Sequence, residues 1–145
     1  MIRTLRTTDL LRALLSGGGI GPDWAQTWEK MGSNEGSALS PTTVARGLVP
    51  RGRMECCSVW AEGARLRALA SVRTRSGPRA WEVRCLHLSP AMEDEGVELL
   101  ERLCITAGQH GGERVFLRVP IASPVLEVAK RAGFLPCARE TLYRR

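Results

Sequence analysis

The stretch 81-WEVRCLHLSPAMEDEGVELLERLCITAGQHGGERVFLRVPIASPVLEVAKRAGF-134 decides the fold. It opens with a β-rich run, Trp81 to Pro90, in which Trp81, Val83 and Cys85 alternate with Glu82 and Arg84. Strict alternation puts Glu82 on the face of Leu86 and Leu88, and His87 on the face of Trp81, Val83 and Cys85. A helix from Glu93 to Gln109 follows, with Val97, Leu100, Cys104 and Ala107 on one stripe and Gly108 and Gly111-Gly112 at its end. Arg114 to Pro120 reads as a second strand. Ser123 then caps a helix running to Phe134, with Pro124 at its first position, Lys130 and Arg131 in its last turn, and Gly133 set to close it in a left-handed conformation. The final residues, ARETLYRR (138–145), read as a last strand. Two neighbouring strands joined by a helix require a crossover, which makes that pair parallel.

Upstream, the chain changes character. Ile2 to Arg6 alternates as a short strand, and Thr7 or Thr8 caps a helix with Leu10, Leu11, Leu14 and Leu15 on one face and Asp9 in its first turn. Gly17-Gly18-Gly19 ends that helix. From Pro22, Trp24, Trp28 and Met31 fall at helical spacing and predict a second amphipathic helix, while 32–37 is a loop by composition. Ser40 and Pro41 start a short third helical turn. Met54 to Glu62 and Arg65 to Thr74, joined at Gly63-Ala64, form an antiparallel hairpin. In its second strand Leu66, Ala68, Ala70 and Val72 share one face, and Arg65, Arg67 and Arg73 the other.

The 145 residues, 43% hydrophobic and 25% charged, describe one domain spanning 1–145 with an ordinary soluble composition. No apolar run reaches the ~18 residues of a membrane span, and the N-terminus lacks the order of a secretory signal. The cytoplasm is the expected location. The five cysteines include no C-x-x-C pair, and the two histidines have no partner at metal-ligand spacing, so reduced structural thiols and no metal are expected. The net charge of +6 comes almost wholly from arginine. Arg46, Arg51, Arg53, Arg65, Arg67, Arg73, Arg75, Arg79 and Arg84 crowd the middle of the chain. That pattern serves either an anionic partner or a solvated strand face. Nucleic acid is the weaker version of the first, because no aromatic residues interleave with the arginines as a stacking platform requires.

The strand–helix–strand–helix–strand order from Trp81 to the end resembles the C-terminal half of the GNAT acyltransferases, which move acyl groups from coenzyme A to amines. The resemblance implies an α/β fold: a single GNAT-like domain with a central mixed, mostly antiparallel sheet flanked by helices on both faces. It also implies that two neighbouring parallel strands splay and that acetyl-CoA or another acyl-CoA enters the gap. Leu86 and Leu88 would offer backbone groups to the pantetheine, and the turn from Glu93 through Glu95, Gly96 and Val97 would receive the pyrophosphate on a helix N-terminus. The turn departs from the family's basic, glycine-rich pattern: it carries one glycine, Gly96, and three acids, Glu93, Asp94 and Glu95. Such acids stabilise the helix itself but repel an anionic ligand.

The family's asparagine and tyrosine, the latter protonating the departing thiolate, fall here on Ala122 and Ala129. The sole tyrosine, Tyr143, is the remaining candidate for that role. Glu82 and His87 are the candidate bases for deprotonating an ammonium. A Cys85–His87 nucleophile pair lacks an orienting third group. Trp24, Trp28 and Met31 lie where relatives recognise the acceptor, or else form the buried stripe of a helix.

The implied activity is acyl transfer to a small-molecule or peptide amine, with a full or an impaired site. The alternative is a non-catalytic GNAT-fold subunit that no longer binds coenzyme A and works as a homo-oligomer or in a protein complex.

Overall fold

The structure, a computed structural model, describes residues 1–15, 21–27, 44–45, 48, 54–75, 77–89 and 91–141. Its elements are β1 (Ile2–Thr4), α1 (Thr8–Leu15), β2 (Glu55–Glu62), β3 (Arg65–Thr74), β4 (Ala80–Leu88), α2 (Glu93–Gln109), β5 (Arg114–Phe116) and α3 (Val125–Arg131). The strands form one sheet in the order β1-β2-β3-β4-β5. Pairings are antiparallel except β4 with β5, which is parallel and joined through α2. The α/β class, the hairpin and the crossover all follow the sequence expectation.

The core has two halves, one on each face of the sheet. On one face Ala68, Ala70, Val72, Trp81, Val83, Leu86 and Leu88 pack against Leu99, Leu100 and Leu103 of α2 and Val125 and Val128 of α3. On the other, Cys57, Val59, Leu66, Leu69 and Cys85 meet Leu5, Ala13 and Val44. Helices therefore cover both faces, as the resemblance implies. The stripe of α2 is rotated slightly from the predicted one: Leu99, Leu100, Leu103 and Ala107 are buried, while Val97 and Cys104 are half-buried.

Two β-bulges correct the predicted faces. Between Trp60 and Ala61 on β2, β3 inserts Arg67 as an extra residue, so Leu66 faces the second core half while Ala68 faces the first. On β4, Arg84 is the extra residue between the Ser71↔Cys85 and Val72↔Val83 pairs. Trp81 and Val83 thus share a face with Leu86 and Leu88, not with His87, and Glu82 moves to the opposite face. Alternation of period two fails wherever a strand takes one extra residue.

Other boundaries differ for local reasons. In α1, Leu11 and Leu14 are exposed, and the buried side is Asp9 and Ala13. Asp9 draws that side inward: it accepts hydrogen bonds from Arg3 at 2.7 and 2.5 Å and from the Arg6 backbone N–H at 2.8 Å. Residues 21–27 are not helical, with bridge positions at Pro22 and Asp23; Trp28 and Met31, and the Ser40-Pro41 cap, lie outside the described residues. The strand predicted to Pro120 ends at Phe116. α3 closes as predicted, with Gly133 at φ +86° and Phe134 N–H donating to Ala129 O at 3.0 Å. The described part of the tail, through Thr141, forms no strand. All five cysteines are free thiols. Burial, chiefly, pushes the Cys57 thiol far above its ordinary value, which suits a small apolar core residue and not a nucleophile.

Burial alone would raise the Asp9 pKa, but the hydrogen bonds from Arg3 and Arg6 and the charges of Arg3 and Arg12 outweigh it and hold the carboxyl below the usual range. A carboxylate with a lowered folded pKa adds stability that is full above its unfolded pKa, about 3.9. That contribution disappears as pH falls through the folded value. We expect Asp9→Asn to be less stable than the native chain at neutral pH, and the difference to shrink below pH about 4, measured by urea unfolding across pH.

Candidate functional site

β4 and β5 pair only over Ala80–Glu82 and Arg114–Phe116. Beyond that the two chains diverge, and residues 21–27 enter the gap. Asp23 forms an antiparallel bridge with His87. Trp24 N–H donates to Leu86 O at 2.9 Å, and Leu86 N–H donates to Asp23 Oδ1 at 2.9 Å. The same Oδ1 accepts the Ala25 N–H at 3.0 Å, forming a local Asx turn. On the far side, Gln26 N–H donates to Arg118 O at 2.8 Å. The segment is thus a strap bonded to both splayed strands.

Where the strap leaves β4, a cavity of about 200 Å³ opens. Pro22 and Trp24 of the strap, Leu88, Met92 at the start of α2, and Val125 and Val128 of α3 give it an apolar lining, with Ser89 and Glu93 as polar members. Ala91, also on its wall, holds a positive φ of 61°, a strained backbone position for a residue with a Cβ. Here the sheet edge, the strap and the starts of two helices converge on an open volume.

The predicted site residues are distributed around this volume unequally. Leu86 and Leu88 edge the gap, but both backbone groups of Leu86 are taken by the strap. Glu93, Asp94, Glu95 and Gly96 make the first turn of α2, as expected. Met92 at its N-cap makes no side-chain capping bond, and Asp94 pairs with Arg131 across the surface. Gly96 is buried for packing: a Cβ there would lie 2.9 Å from Leu88 Cδ1 and 3.0 Å from Val128 Cγ1. Val97, half-buried, packs against the first core half.

Glu82 sits at the paired end of β4, where Arg73 holds it with Nε and Nη2 at 2.9 and 2.7 Å. His87 is enclosed beside the strap. Its Nδ1 donates to Gly21 O at 3.1 Å, and Nε2 lies 3.9 Å from Asp23 Oδ2. Cys85 Sγ and Ser71 Oγ are hydrogen-bonded at 3.1 Å. Tyr143 lies outside the described residues. The structure therefore brings Leu86, Leu88, Glu93 and His87 near one gap and keeps Glu82 away from it.

Sequence reasoning marked Trp24 as a candidate pocket residue, which it is, but missed Gly21 and Asp23. A signal existed in the spacing Gly21-Pro22-Asp23: glycine and proline oppose helix, and an Asx turn needs an aspartate two residues before the N–H it caps.

Solved structures share this architecture. An acetyltransferase of Trypanosoma brucei matches over 100% of this chain and 99% of its own, with a TM-score of 0.66 at 19% identity. An aminoglycoside 6'-N-acetyltransferase of Acinetobacter haemolyticus matches over 100% of this chain and 97% of its own, with a TM-score of 0.67 at 10% identity. For the aminoglycoside 6'-N-acetyltransferase of Enterococcus faecium the values are 77% of this chain, 56% of that chain, 0.51 and 18%, so the chain spans little more than half of that relative. No protein-family model and no curated protein matches the sequence. The fold is that of the GNAT acetyltransferases.

The Arg73–Glu82 pair is largely enclosed, with side-chain exposures of 13% and 8%, so removing one partner strands the other. We expect Glu82→Gln to cost about 1–3 kcal/mol of stability in denaturant unfolding and to leave donor affinity within about twofold. Loss of acyl transfer without loss of stability would return Glu82 to the chemistry.

Proposed function

We propose that this chain is a GNAT-type N-acyltransferase, moving an acyl group from acetyl-CoA or another acyl-CoA to a small-molecule or peptide amine. The observation that carries the reading is the divergence of β4 and β5 with an apolar cavity at its open end, against the starts of α2 and α3. Lining by Trp24, Leu88, Met92, Val125 and Val128 suits the pantetheine arm and acyl group, which are mostly uncharged.

The two ends of such a donor fit unequally. Three acids occupy the first turn of α2, and the single cation Arg131 bonds directly to Asp94. A diphosphate placed there meets like charge, opposing the attraction that backbone N–H groups of a helix start would give it. The donor is therefore held through its thioester end, with weak affinity. Of the candidate bases, His87 is the better placed: its ring touches the strap in the gap, while Arg73 engages Glu82 at the other end of β4. Tyr143, the sole tyrosine, is the remaining candidate for the acid, since the position that the resemblance gives that role is Ala129 here. Free thiols fit a reducing compartment such as the cytoplasm, and no helix among the described residues is long and apolar enough to cross a membrane.

The acidic turn also favours a second reading, a GNAT-fold subunit that has given up the cofactor and acts through a protein partner or a second copy of itself. Calorimetric titration with acetyl-CoA separates the two, using the native chain and a Glu93→Gln/Asp94→Asn/Glu95→Gln variant. We expect binding by the native chain, tightened about tenfold by the substitutions and less so at high salt. Absence of binding by both proteins, together with a stable oligomer in solution, supports the non-catalytic reading.

A further inference from the structure

The strap occupies the position the acyl donor must take. Leu86 is fully buried, and its N–H and C=O point away from β3 into the gap. An incoming amide-bearing arm would have to pair with these groups. Asp23 Oδ1 and Trp24 N–H already do so, at an antiparallel bridge, and Gln26 N–H makes a separate bond to Arg118 O. The chain therefore supplies its own substitute for an inserted ligand: a segment that satisfies β4 on one side and the continuation of β5 on the other.

The sequence is built for this contact. A Cβ at Gly21 would stand 2.1 Å from the Leu88 carbonyl oxygen, so only glycine allows the strap to lie this close to β4. His87 Nδ1 bonds to the carbonyl of that same glycine. The Trp24 side chain lines the cavity and packs against the first core half. Backbone, side chain and van der Waals contacts all hold one short segment between two strands.

We propose that residues 21–27 are an autoinhibitory strap, latched by Asp23 to the Leu86 amide, that must withdraw before an acyl thioester can enter between β4 and β5. The inference rests on the acyl-donor reading and adds its regulation. A donor that binds only the open form has its apparent affinity reduced by the fraction of molecules that are open. Weakening the latch raises that fraction and tightens binding without adding any contact to the donor. An acceptor or partner protein that engages the strap would act in the same direction.

The test uses the full chain and S-acetylpantetheine, a thioester without the diphosphate, so that the acidic turn does not enter. Amide exchange is followed in Asp23→Ala, which deletes the latch, and in Gly21→Ala, which forces the strap off Leu88. Asp23→Asn keeps an Oδ1 acceptor. We expect exchange at Leu86 and Gln26 to accelerate about tenfold or more in Asp23→Ala and Gly21→Ala. Asp23→Asn should stay close to the native chain, and the β3 amides of Leu69 to Val72 should remain protected in every folded variant. S-acetylpantetheine should bind the two opened variants about tenfold more tightly than the native chain. Equal affinity for native and opened proteins overturns the strap while leaving the acyl-donor reading intact. Unchanged Leu86 exchange in both opened variants also overturns it, since no latch would then exist. Failure of every protein to bind the thioester overturns the acyl-donor reading itself, and the strap loses what it would gate.

Discussion

The backbone of Leu86 is the point on which the local architecture turns. Its side chain is fully buried in the first core half, so its N–H and C=O cannot be left to water once the neighbouring strand has diverged. A buried unpaired amide or carbonyl costs about 1–3 kcal/mol. Pairing with β5 ends at Glu82, four residues earlier on β4. Something must therefore bond to Leu86, and the chain meets the requirement with Asp23 and Trp24. A fold that splays two strands creates a need for a ligand, and this sequence meets that need internally.

The two bulges set which side chains can take part. Each adds an arginine, Arg67 on β3 and Arg84 on β4, and each reverses the face of the residues beyond it. Without the one at Arg84, Glu82 would share the face of Leu86 and Leu88. With it, Trp81 and Val83 join that face, and Glu82 is left opposite, across from Arg73 and Glu55. Arg84 itself turns to Glu55, with Nη1 at 2.8 Å from both carboxylate oxygens. Arg67 has Glu62 no nearer than 3.9 Å from its Nε, while its carbonyl accepts both the N–H and the hydroxyl of Ser89. The bulges thus convert what reads as an apolar strand with scattered charges into one wholly apolar face and one on which ion pairs flank the second core half.

Much of the fold was legible because its elements carry local signals. The hairpin from Glu55 to Thr74 turns at Gly63-Ala64 as its composition indicates, and α3 closes at Gly133 as its punctuation indicates. The site was less legible, for two reasons. A bulge leaves no mark in a hydropathy pattern, so Glu82 and His87 were assigned to the wrong faces. The spacing of Trp24, Trp28 and Met31 is helical, yet Gly21 to Thr27 is not, because bonding to Leu86 and Arg118 outweighs local periodicity. In α1 the leucines at 11 and 14 suggested the buried side, but the Arg3–Asp9 pair fixes the helix with Asp9 inward. In the strap and in α1, a tertiary polar contact decided an orientation that apolar spacing had suggested otherwise.

The arginine-rich composition has the same explanation. An excess of cations can serve an anionic ligand only where the charges are unspent, and several of those among the described residues are engaged. Arg3 pairs with Asp9, Arg73 with Glu82, Arg79 with Glu113, Arg84 with Glu55, Arg118 with Glu140 and Arg131 with Asp94. Arg75 lies over the Phe116 ring, 5.4 Å from its centroid. The exposed pairs contribute little to stability, and the one at the start of α2, Arg131 with Asp94, spends its cation on an acid of that turn. The first turn of α2, where a diphosphate would need that potential most, carries net negative charge even after Arg131 has answered Asp94. Electrostatics and hydrogen bonding thus exclude the two ends of a donor by different means. The acids act on its charged end at long range and yield to salt. The strap acts on its amide-bearing arm by direct competition for the same backbone groups, which salt does not relieve.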